Sequence, residues 1–187
     1  MKTETSRQLV HIALFLLAFS FKYLTKIEIV LLLGVLLIAA LVVVPRSRIR
    51  HRLYRPSDTA YSRGATSYFA ALLVIAIFQP AWVVGLAWAT LAFGDGAATL
   101  IGTMFSSSRL PWNQNKTWVG SIAFFVAATI AGCIVLPWLH EGLPFDAIAL
   151  IVVTVAAITA LVESLPLRLN DNISVPITAA VVAAILA

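Results

Sequence analysis

The chain has 187 residues, 61% hydrophobic and 11% charged, with a mean hydropathy of +0.98 and a formal net charge of +5. Soluble domains carry roughly 25% charged residues, so this composition excludes an ordinary soluble fold and predicts a single integral-membrane domain over 1–187. The lone cysteine, Cys133, excludes a disulfide framework.

Seven helical segments are predicted, over about 8–24, 27–44, 64–79, 81–104, 119–138, 146–164 and 174–187. They are continuously apolar, without the alternation a lipid-facing strand needs, and most are long enough to cross a hydrocarbon core of about 30 Å. The expected fold is therefore all-α, a polytopic bundle of about seven spans. Lys2, Arg7 and Ala18-Phe19-Ser20 give the first segment some features of a signal peptide, but its apolar run continues through Phe21 and Tyr23, and a span is expected instead. Cys133 falls inside the fifth segment and is expected to be a small packing residue.

Charge sets the expected orientation. With the N-terminus in the cytoplasm, eleven of thirteen Lys and Arg residues lie inside. They are Lys2, Arg7, the six arginines between Arg46 and Arg63, Arg109, Lys116 and Arg168, and only Lys22 and Lys26 fall outside. This is a strong positive-inside bias. Attraction to anionic membrane lipids explains the net charge without a nucleic-acid polymer.

The polar residues that composition leaves unexplained then gather on the cytoplasmic side. In "FGDGAATLIG", Asp95 lies within the fourth segment, where a carboxylate costs about 2.5–3.5 kcal/mol on insertion scales. Residues 81–105 would extend about 37 Å as one helix, so Gly94 and Gly96 are read as a break with Asp95 capping a second half-helix. A helix start attracts anions, and the carboxylate could hold Mg²⁺ against phosphate oxygens. In "NQNKTWVGS", Lys116 is either an interface anchor flanked by Trp112 and Trp118 or a phosphate-binding ammonium, with Asn115, Thr117 and Ser121 adding donors and Gly120 allowing close backbone approach. The spacing is not that of a Walker P-loop.

In "VESLPLRLNDNISVP", Glu163 closes the sixth segment, and Asp171 stands between two asparagines. Asn172 or Ser174 is expected to cap the last helix, with Pro176 in its first turn. Capping does not require Glu163, Asp171 and Asn172 together, and oxygen ligands at two helix ends suit a hard divalent cation. Glu4, Arg7 and His11 stand at the mouth of the first segment as possible supporting residues. No His/Cys spacing suits zinc, and no serine nucleophile elbow is present.

Taken in order, "GDGAATLIG", "LPWNQNKTWVGSIAFF" and "VESLPLRLNDNISVP" resemble the dolichol kinase superfamily of CTP-dependent lipid kinases, and within it the phytol and farnesol kinase group. The opening "ETSRQLVHIALF" is similar to the family's N-terminal Glu/Arg/His segment. Val119 stands where many members have glutamate and Gly96 where many have alanine, which points away from dolichol or diacylglycerol as substrate. The resemblance implies Mg²⁺-dependent transfer of the γ-phosphoryl group of CTP to a prenyl alcohol. It implies a nucleotide and metal site of Gly94, Asp95, Gly96, Asn115, Lys116 and Thr117, completed by Glu163, Asp171 and Asn172. Asp95, at membrane depth, is the expected proton acceptor, and Lys116 the expected charge neutraliser.

Two other readings compete. A CDP-lipid synthase shares a K-T-W-x-G-like element, but its basic C-terminal signature is missing, since Arg168 is the only Lys or Arg after Lys116. A non-enzymatic transporter or assembly subunit explains the hydropathy but not three polar clusters on one face. The expected location is a prokaryotic plasma membrane or a thylakoid, because no transit-like leader opens the sequence.

Overall fold

The computed structural model describes residues 10–48, 50, 54, 58, 60–105 and 108–187. These residues form helices α1 (Val10–Tyr23), α2 (Lys26–Arg46), α3 (Arg63–Phe78), α4 (Ala81–Met104), α5 (Trp118–Leu139), α6 (Phe145–Ser164) and α7 (Asp171–Ile185). A two-stranded antiparallel hairpin, β1 (Arg109–Leu110) and β2 (Asn113–Thr117), lies between α4 and α5. The fold is all-α, and α2, α4, α5 and α6 are long and apolar enough to cross a membrane.

The helix starts follow from local chemistry. Thr25 and Glu28 form a reciprocal capping box before α2, with the Glu28 carboxylate accepting from the Thr25 amide at 2.7 Å. The Ser62 hydroxyl caps α3 through the Ala65 amide. The Asn170 side chain caps α7 by accepting from the Asn172 amide at 3.0 Å. This corrects the expectation of a cap at Asn172 or Ser174: an Asx side chain two residues upstream reaches the orphan amide first. The helix consequently starts at Asp171, and Pro176 stands beyond the first turn.

Helix α4 is the axis of the bundle. Residues Val83 to Ala92 are buried on all sides, against α1, α3, α5 and α7. The expected break at Gly94–Gly96 does not occur. Asp95 has helical φ and ψ and no capping bond, and the chain passes through a π-helical stretch, Thr90–Asp95, into the rest of α4. Gly94 permits this by lying flat under the Phe124 ring, where an added Cβ would come within 2.7 Å. An extra residue in a packed helix is thus absorbed as a wide turn rather than as a break.

Helix α2 packs chiefly on α3 and leaves Ile27, Leu31, Val35 and Ile38 exposed along one face. Cys133 is also exposed, on α5, which corrects the expectation of a packing role.

Candidate functional site

Between the fourth and fifth predicted segments, residues 109–117 form the ordered hairpin β1–β2. Arg109 pairs with Thr117, and Leu110 with Asn113. Two contacts fasten the hairpin to the end of α6. The Asn113 amide donates to the carbonyls of Ser164 (3.1 Å) and Leu165 (3.3 Å), and the Trp112 indole donates to the Ser164 hydroxyl. Thr117 then ends β2 and caps α5, its hydroxyl accepting from the Gly120 amide at 3.1 Å. Lys116 is therefore held in register between the ends of α6 and α7.

Its ammonium donates to Asp171 Oδ2 at 2.8 Å and to Glu163 Oε1. Glu163 is only 2% exposed, and its second oxygen, Oε2, is buried without a hydrogen-bond partner. Asp95 joins them: Asp95, Glu163 and Asp171 each bring a carboxylate oxygen to within 4.8 Å of the others. Burial alone would lower the Lys116 pKa, but the charges and hydrogen bonds of Glu163 and Asp171 outweigh it and hold the ammonium above its ordinary range. Three hard oxygen donors from three carboxylates, with Glu163 Oε2 buried and unpartnered among them, fit a divalent cation of the magnesium kind.

Two cavities open on either side of Lys116 and Asn115. The first, about 460 Å³, is lined by Arg109, Thr117, Ser121 and Glu163 together with the C-terminal part of α4. The second, about 560 Å³, is lined by Asn113, Asp171 and the loop from Leu165 to Asn170.

The fold brings Asp95, Lys116, Glu163 and Asp171 together from segments far apart in the chain. Gly94 and Gly96 are buried on the same stretch of α4. Gly120 packs against Gly102, with Ala98 O 3.2 Å from where its Cβ would stand. Ser121 Oγ is buried beside the first cavity without a hydrogen-bond partner. Asn172 has a structural contact: its amide donates to the Gly64 carbonyl at 3.0 Å and ties α7 to α3. His11 is buried with its ring 4.5 Å from that of Tyr68, whose hydroxyl accepts from the Trp88 indole at 2.7 Å. Glu4 and Arg7 lie outside the described residues. Sequence reasoning missed the leucine loop and Asn170. The alternating leucines of so short a connection, Leu165, Leu167 and Leu169, were the signal for the loop.

The chain is similar to plant phytol kinases. It is 34% identical over 134 residues to a probable chloroplastic phytol kinase of Triticum aestivum, covering 66% of this chain and 44% of that protein. It is 33% identical over 126 residues to chloroplastic phytol kinase 1 of Arabidopsis thaliana, covering 62% and 40%. A probable chloroplastic phytol kinase 2 of Glycine max is 31% identical over 145 residues, covering 72% and 49%. Each match spans less than half the length of the relative. No family model and no solved structure matches the chain.

Proposed function

We propose, from its similarity to the phytol kinases, that this chain transfers the γ-phosphoryl group of a nucleoside triphosphate, CTP by the resemblance of its motifs, to a prenyl alcohol such as phytol, farnesol or geranylgeraniol. One observation carries the reading beyond the relatives' names. A lysine and three carboxylates from separate segments converge beside two cavities. That combination suits phosphoryl transfer, because catalysis rests on positioning and charge neutralisation rather than on covalent chemistry.

Lys116 and Arg109, with the hydroxyls of Thr117 and Ser121, face the phosphate chain from the first cavity. Gly120 keeps the backbone close to it, and Asn115 completes the nucleotide side. Asp95, Glu163 and Asp171 would hold Mg²⁺, which would supply neutralisation of phosphate charge there. The alcohol oxygen attacks the γ-phosphorus, the bond to the leaving nucleoside diphosphate breaks, and the alcohol proton passes to a carboxylate. The site faces the cytoplasm, with the N-terminus on the same side and the helices crossing the membrane in succession.

The test is purified protein in detergent with Mg²⁺, a panel of prenols and γ-labelled CTP, with ATP and UTP as competitors. Label is expected in a prenyl phosphate, and Asp95→Asn should remove it. Absence of transfer, with release of labelled pyrophosphate when phosphatidic acid is supplied, would replace the kinase by a cytidylyltransferase.

A further inference from the structure

We infer that the second cavity is the acceptor subsite, where the prenyl alcohol sets its hydroxyl against Asp171 and its first isoprene units along the loop from Leu165 to Leu169. The assignment rests on the kinase reading above and adds to it the place and the selecting residues of the lipid.

The two cavities share a wall, Asn115 and Lys116, but differ in the chemistry beyond it. The first offers Arg109 and hydroxyl groups at the capped start of α5, which suits phosphate oxygens. The second sets Leu165, Pro166, Leu167 and Leu169 beside the polar side chains of Asn113, Arg168, Asn170 and Asp171. An apolar rim next to polar groups that can receive a hydroxyl matches a long hydrocarbon carrying one hydroxyl.

The leucines have no packing reason to be where they are. Leu165, Leu167 and Leu169 are 44%, 43% and 62% exposed, in a connection of only six residues between α6 and α7. Apolar residues concentrated at the surface beside a cavity mark a contact with something apolar. Their level in the molecule says what. Trp112, tied to Ser164 at the end of α6, and Trp118 are half-exposed with ring centroids 5.4 Å apart, an arrangement suited to the membrane–water interface. A lipid alcohol keeps its hydroxyl at that depth.

Glu163 lines the first cavity and Asp171 the second, with the Lys116 ammonium between them. The alcohol hydroxyl accordingly meets the phosphoryl group across Lys116, and as its oxygen bonds to phosphorus and the diphosphate leaves, the proton passes to a carboxylate of the Asp95, Glu163 and Asp171 cluster.

Two measurements test the assignment. The first is steady-state kinetics of Leu167→Gln and Leu169→Gln, exposed positions whose replacement leaves the core intact. The prenol KM should rise about tenfold, as for lost apolar pocket contacts, while the nucleotide KM stays unchanged. A rise in the nucleotide KM alone would make this cavity the nucleoside subsite, and no change in either would also overturn the proposal. The second is photolabelling of the unmodified protein with a diazirine-bearing farnesol, which needs no turnover. Label should enter residues 165–169, whereas label confined to Thr99–Phe105 would overturn the assignment. Labelling of the loop in a protein that phosphorylates no prenol would sink the kinase reading and leave the lipid subsite standing. Turnover with both KM values unaffected by the leucine variants would do the reverse.

Discussion

Two lysines at opposite ends of the bundle make similar contacts in different surroundings. Lys22, at the end of α1, pairs with Glu141 at 2.6 Å and lies 4.3 Å from the centroid of the Trp138 ring, while the Trp138 indole donates to the Phe19 carbonyl at 3.0 Å. Glu141 is 74% exposed, so water screens the pair and the clasp between α1 and the end of α5 adds little. Lys116 instead meets a buried glutamate, and two aspartates stand beside it. Three acids within 4.8 Å repel one another, and a fold does not gain stability by assembling them. The first cation fastens two elements, while the second sits among three acids whose charge it only partly neutralises.

Removing the second cation should have the largest effect. Lys116→Met leaves Glu163 and Asp171 facing each other without a counter-charge, and phosphoryl transfer should fall by about 10³-fold, the upper range for losing one preorganised donor. The label-transfer assay measures it. Next comes the seam that carries the hairpin into α5. A Cβ at Gly120 would stand 3.0 Å from Thr117 Oγ1 and 3.2 Å from the Ala98 carbonyl. Gly120→Ala should therefore cost about 1–3 kcal/mol by overpacking, read as a lower thermal midpoint in detergent.

The smallest effects separate the two lysines by pH. The Glu141 pKa is lowered, through its hydrogen bond and charge contact with Lys22. The clasp is thus present above the ordinary carboxylate value of 4.5 and is lost as pH falls through the folded value. The Lys116 pKa is raised, so its contribution is complete below 10.5 and is lost only as pH rises through its folded value. Glu141→Gln should flatten the acid side of a plot of thermal midpoint against pH and leave the alkaline side unchanged. Lys22→Ala at neutral pH should leave both midpoint and activity where they are, and a marked loss would break the comparison.

The helical fold was legible because hydrophobic stretches of that length admit few alternatives, and the predicted segments lie within a few residues of the observed helices. The exceptions arise where tertiary contacts decide. Gly94 and Gly96 read locally as a break, but packing around Phe124 keeps the helix continuous. Residues 109–117 carry no apolar alternation, and the hairpin owes its order to Asn113 and Trp112 bonding to the end of α6, about fifty residues away in sequence. The polar motifs were visible as unusual residues in an apolar chain. That Lys116 would bridge Glu163 and Asp171, with a cavity on each side, depends on that same docking and has no local signature.

The wide turn at Thr90–Asp95 makes α4 sensitive to counting rather than to chemistry. Each residue of an α-helix advances the chain by about 100° around its axis, and the π-helical stretch accommodates one residue more than a regular path needs. Deleting one residue from Thr90–Phe93 would let the helix wind regularly and leave Asp95 and everything after it near its present bearing. A further insertion there would instead swing Asp95 by about 100°, away from Glu163 and Asp171, with every functional side chain still in the sequence.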